Sequence, residues 1–163
     1  MSEKDKGRKQ MNKREKTIEY VGQLILGDKV DVTDPCYDKS AWCRETVSCK
    51  PGIYTGYATI SDEGEWGIRV ANLSIYKDNA SCPIEDMECV SSNIGVDSGL
   101  AGFFNSKPDF SDEEWYELCD KTDSKDKKAW CMFRGIFSES GYGDGSYELY
   151  ANKDRTAFTL IFV

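Results

Sequence analysis

Gly52-Ile53-Tyr54-Thr55-Gly56-Tyr57-Ala58-Thr59-Ile60, followed by Asp62-Glu63-Gly64 and Trp66-Gly67-Ile68-Arg69-Val70, decides the fold class of this 163-residue chain. The first run carries β-branched and aromatic residues at both parities, as a strand covered on both faces does. Asp62-Glu63-Gly64 supplies turn residues, and Trp66, Ile68 and Val70 then alternate with a period of two. The apolar parity shifts at Leu73 and Ile75, which predicts a β-bulge near Ala71-Asn72.

Strand signals continue on both sides. Ile18, Tyr20, Leu24 and Leu26 share one parity, and Gly27-Asp28 separates them from Val30 and Val32. This predicts two short strands around a tight turn, the second stopped at Asp34-Pro35 because proline lacks the ladder N–H. Residues 38–50 read as irregular or weakly helical, and Asn79–Glu88 as a loop. Ser91–Val96 is a short strand running into a glycine-rich segment. Ser111 and Glu114 have capping-box spacing and open the one convincing helix, with Trp115, Leu118 and Cys119 as its apolar stripe. Phe133–Ser138, the hairpin-turn signal Gly141-Tyr142-Gly143-Asp144-Gly145, Tyr147–Tyr150 and the two-sidedly apolar Ala157–Val163 complete the chain. The expected fold is mainly β, a β-sandwich or partly open barrel of eight or nine strands. One short helix lies in an insertion over 105–132.

Composition agrees with a single β-rich domain over 18–163, preceded by a disordered basic tail over 1–17. Val, Ile, Leu and Phe number 32, about a fifth of the chain, so the nine Tyr and four Trp must supply core area. Residues 1–16 carry a net +4 against −8 for the whole chain, which leaves an acidic body. That body argues against general nucleic-acid binding, which needs a continuous basic face. The chain begins without an apolar run and contains none of membrane-spanning length, so a cytoplasmic protein without a membrane partner is expected. Seven cysteines in such a compartment are expected to be free thiols.

The chain contains no histidine, which excludes Ser-His-Asp triads and histidine metal sites. The cysteines lack a C-x-x-C pair, so neither a metal site nor a cofactor is expected. Asp34, Asp97 and Asp144 each stand in a turn beside Gly or Pro. There a carboxylate either faces an open site or caps the turn through backbone N–H groups. Tyr37, Phe103, Tyr142 and Tyr147 flank the same turns, as a stacking floor for a planar ligand or as core. Gly99, Gly143 and Gly145 match neither nucleotide-phosphate fingerprint; a positive φ is expected at Gly143 and Gly145.

Three motifs carry a resemblance: Thr33-Asp34-Pro35-Cys36-Tyr37, Val96-Asp97-Ser98-Gly99-Leu100-Ala101-Gly102-Phe103-Phe104 and Ser140-Gly141-Tyr142-Gly143-Asp144-Gly145-Ser146-Tyr147. Over roughly residues 20–163 the chain resembles a family of bacterial and phage domains of unknown function that share Asp-x-Gly and Gly-x-Gly-Asp-Gly-x-Tyr segments. The resemblance implies a β-rich domain and carries no activity with it.

The expected function is a non-enzymatic binding protein, with a small ligand (for example a signalling nucleotide) or a host protein segment held at the motif loops. Its candidate ligand-binding residues are Asp34, Tyr37, Asp97, Gly99, Tyr142, Gly143, Asp144, Gly145 and Tyr147. A nucleotide would need at least two of the body's arginines, Arg44, Arg69, Arg134 and Arg155, near one another. One alternative is a hydrolase using Asp34, Asp97 and Asp144, with or without a divalent cation, which requires the three carboxylates to converge. A second alternative is a virion-associated or interaction module presenting the acidic helix face Asp112, Glu113, Glu117 and Asp120.

Overall fold

The computed structural model describes residues 15–107, 109–123 and 126–163. Among the described residues, eleven strands form two antiparallel sheets, with one α-helix on the outside of the second. The strands are β1 (Lys16–Leu26), β2 (Lys29–Thr33), β3 (Glu45–Ser48), β4 (Gly52–Asp62), β5 (Ile68–Lys77), β6 (Met87–Val96), β7 (Leu100–Phe104), β8 (Ala129–Met132), β9 (Gly135–Glu139), β10 (Gly145–Asn152) and β11 (Ala157–Ile161). The helix is α1 (Asp112–Thr122). The six-stranded sheet runs β1-β4-β5-β11-β10-β6, and the five-stranded sheet β3-β2-β7-β9-β8. The chain is thus a β-sandwich with no closed barrel. None of the described helices is long and apolar enough to cross a membrane.

The bulge falls where the parity shift predicts, but Trp66 stands in a short turn ahead of β5 and, with Ile68, is exposed where Val70 is buried. In the β4–β5 ladder Thr59 pairs with Asn72 and Ile60 with Val70, so Ala71 is the extra residue of a bulge. Its carbonyl accepts the N–H groups of both Phe162 and Val163, which anchors the end of the chain. β11 lies between β5 and β10, in keeping with its apolar residues at both parities.

A second bulge explains an apparent anomaly in β1. Tyr20 pairs with Tyr57 and Gly22 with Gly56, leaving Val21 unpaired. The extra residue reverses which face the even positions occupy. Leu24 and Leu26 are therefore buried, while Ile18 and Tyr20, of the same parity, are 72% and 63% exposed.

Several sequence expectations need correction. β1 and β2 are consecutive but belong to different sheets, so Gly27-Asp28 is a corner between layers. Gly141–Gly145 likewise joins β9 of one sheet to β10 of the other and closes no hairpin. Residues 38–50 contain β3, held to β2 by backbone pairing that a short Glu-Thr-Val-Ser run does not advertise. The insertion over 105–132 ends in β8, an edge strand paired with β9 through a two-residue turn. In that turn Phe133 and Arg134 both have positive φ, 56° and 60°, which the sequence hides because neither is Gly or Asn. Lys16 and Thr17, assigned above to the tail, pair with Ser61 and Ile60; residues 1–14 lie outside the described residues.

The core between the sheets is built from Tyr54, Leu73, Ile75, Ile94, Phe103, Ile136, Leu149 and Phe158, among others. Aromatic residues carry much of it, as the scarcity of aliphatic ones requires. A smaller cluster covers the outer face of the five-stranded sheet, where Phe104, Trp130 and Phe137 stack under Leu118 of α1. The Ser111–Glu114 capping box is formed as the spacing predicts. Trp115 and Cys119 remain largely exposed, so Leu118 alone of the expected stripe is buried, worth about 2 kcal/mol.

Candidate functional site

All three motifs meet at one end of the sandwich, through hydrogen bonds rather than through their carboxylates. Asp34 follows β2 and is fully buried. Its Oδ2 accepts the N–H groups of Asp97 at 2.9 Å and Ser98 at 2.8 Å. Its Oδ1 accepts the Ser98 hydroxyl at 2.7 Å and the Cys36 N–H at 2.8 Å. Four donors thus converge on one carboxylate, the means by which a buried charge is tolerated. One turn later the Ser140 N–H donates to the Gly99 carbonyl at 3.0 Å, joining the second motif to the third.

Within the third motif, the Tyr147 hydroxyl donates to the Ser140 carbonyl at 3.0 Å and, at closer range, to the Gly143 carbonyl. Gly143 has φ +112°, as expected. Gly145 does not have a positive φ: it is the first residue of β10, paired with Val96. The pairing of β10 with β6 demands extended backbone there, so its glycine is not required by conformation.

A cleft of about 340 Å³ opens where the second and third motifs meet. Gly99, Tyr142 and Gly143 of the expected site line it, together with Ser98, Arg69 and Glu139. No atom would obstruct a side chain built on Gly99 or Gly143, so the backbone there is approachable. The Tyr142 hydroxyl donates to the buried Glu63 carboxylate at 2.9 Å, and Glu63 also accepts from Ser61 at 2.6 Å. The Arg69 guanidinium lies 4.8 Å from the Tyr142 ring centroid, and its Nε–H donates to the Trp66 carbonyl at 2.8 Å. Arg69 stood in the sequence only as one available cation, and Glu63 only as a turn residue. Their convergence on Tyr142 depends on β4 and β5 being brought to the third motif.

The remaining expected residues are placed elsewhere. Asp97 and Asp144 are exposed, and Asp34 is committed to the two turns. Among the described residues no group of three acidic or cysteine side chains could hold a metal ion. Phe103 is core. Tyr37 is half-buried in a separate recess with Cys36, Phe110 and Trp115, and burial, followed by its contact with Cys43, pushes its phenol pKa up. Burial also pushes the Cys36 thiol up to about 12, with the Asp34 charge adding to the effect and a bond with Ser98 opposing it. A thiol held protonated in this way is a packing group, not a nucleophile. All seven cysteines are free.

Comparisons with protein-family models, with curated proteins and with solved structures give no match to this chain.

Proposed function

We propose that this protein is a non-enzymatic binding protein that holds a small polar ligand in the cleft between its second and third motifs. The observation that carries the reading is the convergence of the three motif loops. The Asp34 brace and the Ser140–Gly99 bond position two glycines and Tyr142 around one cavity. Pre-formed clefts with a few placed polar groups are the usual form of small-molecule sites. Arg69 supplies the cation: one N–H is spent on Trp66 and its terminal amino groups remain for an anionic group of the ligand. The hydrolase alternative is less favoured, because Asp34 would have to abandon four hydrogen bonds to meet a substrate or a cation.

Native mass spectrometry of protein purified from its own cells, followed by calorimetric titration of any ligand released, tests the reading. Arg69→Ala and Tyr142→Ala should each weaken that ligand at least about tenfold, equivalent to about 1.4 kcal/mol, in a folded protein. Binding unchanged in both variants would remove the cleft as the site.

A further inference from the structure

A second cavity, of about 490 Å³, lies away from the motif cleft, between the loop ahead of β3 and the end of β7. Its walls carry Lys39, Arg44 and Lys107 against a single carboxylate, Asp31. Such a gathering of cations is unusual on a body whose net charge is strongly negative.

The carboxylate is already fully engaged. Asp31 Oδ1 accepts the Thr46 hydroxyl at 2.7 Å, and Oδ2 accepts the Lys107 backbone N–H at 2.8 Å. Arg44 Nη2 stands 3.1 Å from the same Oδ2, with Nη1 donating to the Asp38 carbonyl at 3.2 Å. Arg44 is therefore a pre-oriented fork, its side chain only 10% exposed, with N–H donors beyond those two. Lys107, 1% exposed, donates its ammonium to the Tyr37 carbonyl at 3.0 Å and rests 4.2 Å from the Phe110 ring centroid. Its ammonium is held against Tyr37 and Phe110, which line the neighbouring recess. Burial lowers the Lys107 pKa and the Arg44 charge lowers it further, while Asp109, Cys36 and Asp34 act in the opposite direction. Lys39 is exposed, and only its backbone N–H is tied down, to Asp109. Of the neighbouring acids, Asp38 Oδ1 accepts from Ser40 and Asp109 Oδ1 from that backbone N–H, and both remain near enough to attract Lys107.

We infer that this cavity is a binding site for a phosphate group, presented by a small organic phosphate or as a free polyphosphate. A planar guanidinium fork with donors to spare, in one cavity with two lysines, matches an anion with several acceptor oxygens. Trp42, in the same loop as Lys39 and Arg44 and 82% exposed, is not among the cavity's lining residues, so only an organic group reaching beyond the cavity would stack on it. The site shares no lining residue with the motif cleft.

Calorimetric titration of the intact protein with inorganic pyrophosphate, with ADP and with malonate tests the inference. Pyrophosphate should bind, more weakly as salt is raised, and at least about tenfold more tightly than malonate. Lys39→Glu, at an exposed position that leaves the Asp31 network in place, should weaken pyrophosphate at least about tenfold; Arg44→Gln should do the same where circular dichroism shows it folded. Arg69→Ala should leave this binding unchanged, which separates the site from the motif cleft. ADP tighter than pyrophosphate, with the difference lost in Trp42→Ala, identifies an organic phosphate; equal affinities identify the free anion. No binding of either phosphate, binding indifferent to Lys39→Glu, or malonate binding equally well would overturn the inference.

Discussion

Asp34 and Ser98, 64 positions apart in the chain, are joined twice: one carboxylate oxygen accepts the serine's backbone N–H at 2.8 Å and the other its hydroxyl at 2.7 Å. The pair ties the end of β2 to the turn between β6 and β7. Through Gly99 that turn holds the start of the third motif. The Asp residue that the sequence offers as a site carboxylate is the brace on which the neighbouring cleft depends.

Replacement of Asp34 by Asn should therefore damage folding. An amide presents an NH2 group toward backbone N–H donors and leaves at least one buried donor unpaired. The expected loss is about 2–4 kcal/mol in urea denaturation. Asp144→Asn, at an exposed turn position, should stay within about 0.5 kcal/mol of the parent. Equal losses in the two variants would show that the Asp34 network contributes little.

Two glycines of the third motif should part company. Gly143→Ala places a side chain at φ +112° and should cost on the order of 1–3 kcal/mol. At Gly145 an added Cβ meets only the Tyr147 ring, at an ordinary 3.5 Å, so Gly145→Ala should be nearly neutral. Melting temperatures of the two variants read the difference directly, and a larger fall for Gly145→Ala would contradict the assigned backbone.

Cys36 should resist alkylation in the folded protein, whereas the exposed Cys89, Cys119 and Cys131 should be modified. The thiolate is the reacting species, and burial pushes the Cys36 pKa up to about 12 from 9.0. Iodoacetamide treatment at pH 8, followed by peptide mass spectrometry, should find Cys36 the less labelled. The same shift has a consequence in alkali. Below pH 9.0 both folded and unfolded chains keep the proton, and the stability from this group is intact. Above it the unfolded chain ionises first, so stability declines as pH rises toward the folded value. In denaturation measured between pH 8 and 11, Cys36→Ser should flatten that decline; an unchanged slope would exclude Cys36 as its source.

Tyr147→Phe removes the hydroxyl that holds the Ser140 and Gly143 carbonyls together. Its expected cost is about 1 kcal/mol, concentrated in the loop. Hydrogen exchange of the Gly143 N–H, which donates to Ser140 at 3.0 Å, should accelerate while the Phe158 amide in β11 stays protected. Uniform acceleration across both would point to general destabilisation.

Much of the fold follows from local chemistry. The parity shift at Ala71, the stop at Pro35 and the capping box at Ser111 are consequences of backbone geometry acting over a few residues, and each is visible in the sequence. Which sheet a strand joins is not local. Gly27-Asp28 and Gly141–Gly145 look like hairpin turns because a turn signal records only that the chain bends; the partner across the bend is chosen by packing. β3 and β8 leave little trace in the sequence for a related reason, since short edge strands take their conformation from a neighbour's unpaired backbone and need little pattern of their own. Candidate sites divide in the same way. The sequence identifies Asp34, Gly99, Tyr142 and Tyr147 as unusual residues beside turns, but a carboxylate's role depends on whether water or, as at Asp34, three N–H groups and a hydroxyl surround it. The tertiary structure alone buries Asp34, lays Arg69 against Tyr142 and gathers Lys39, Arg44 and Lys107 around Asp31, because those neighbours come from strands and loops far apart in the chain.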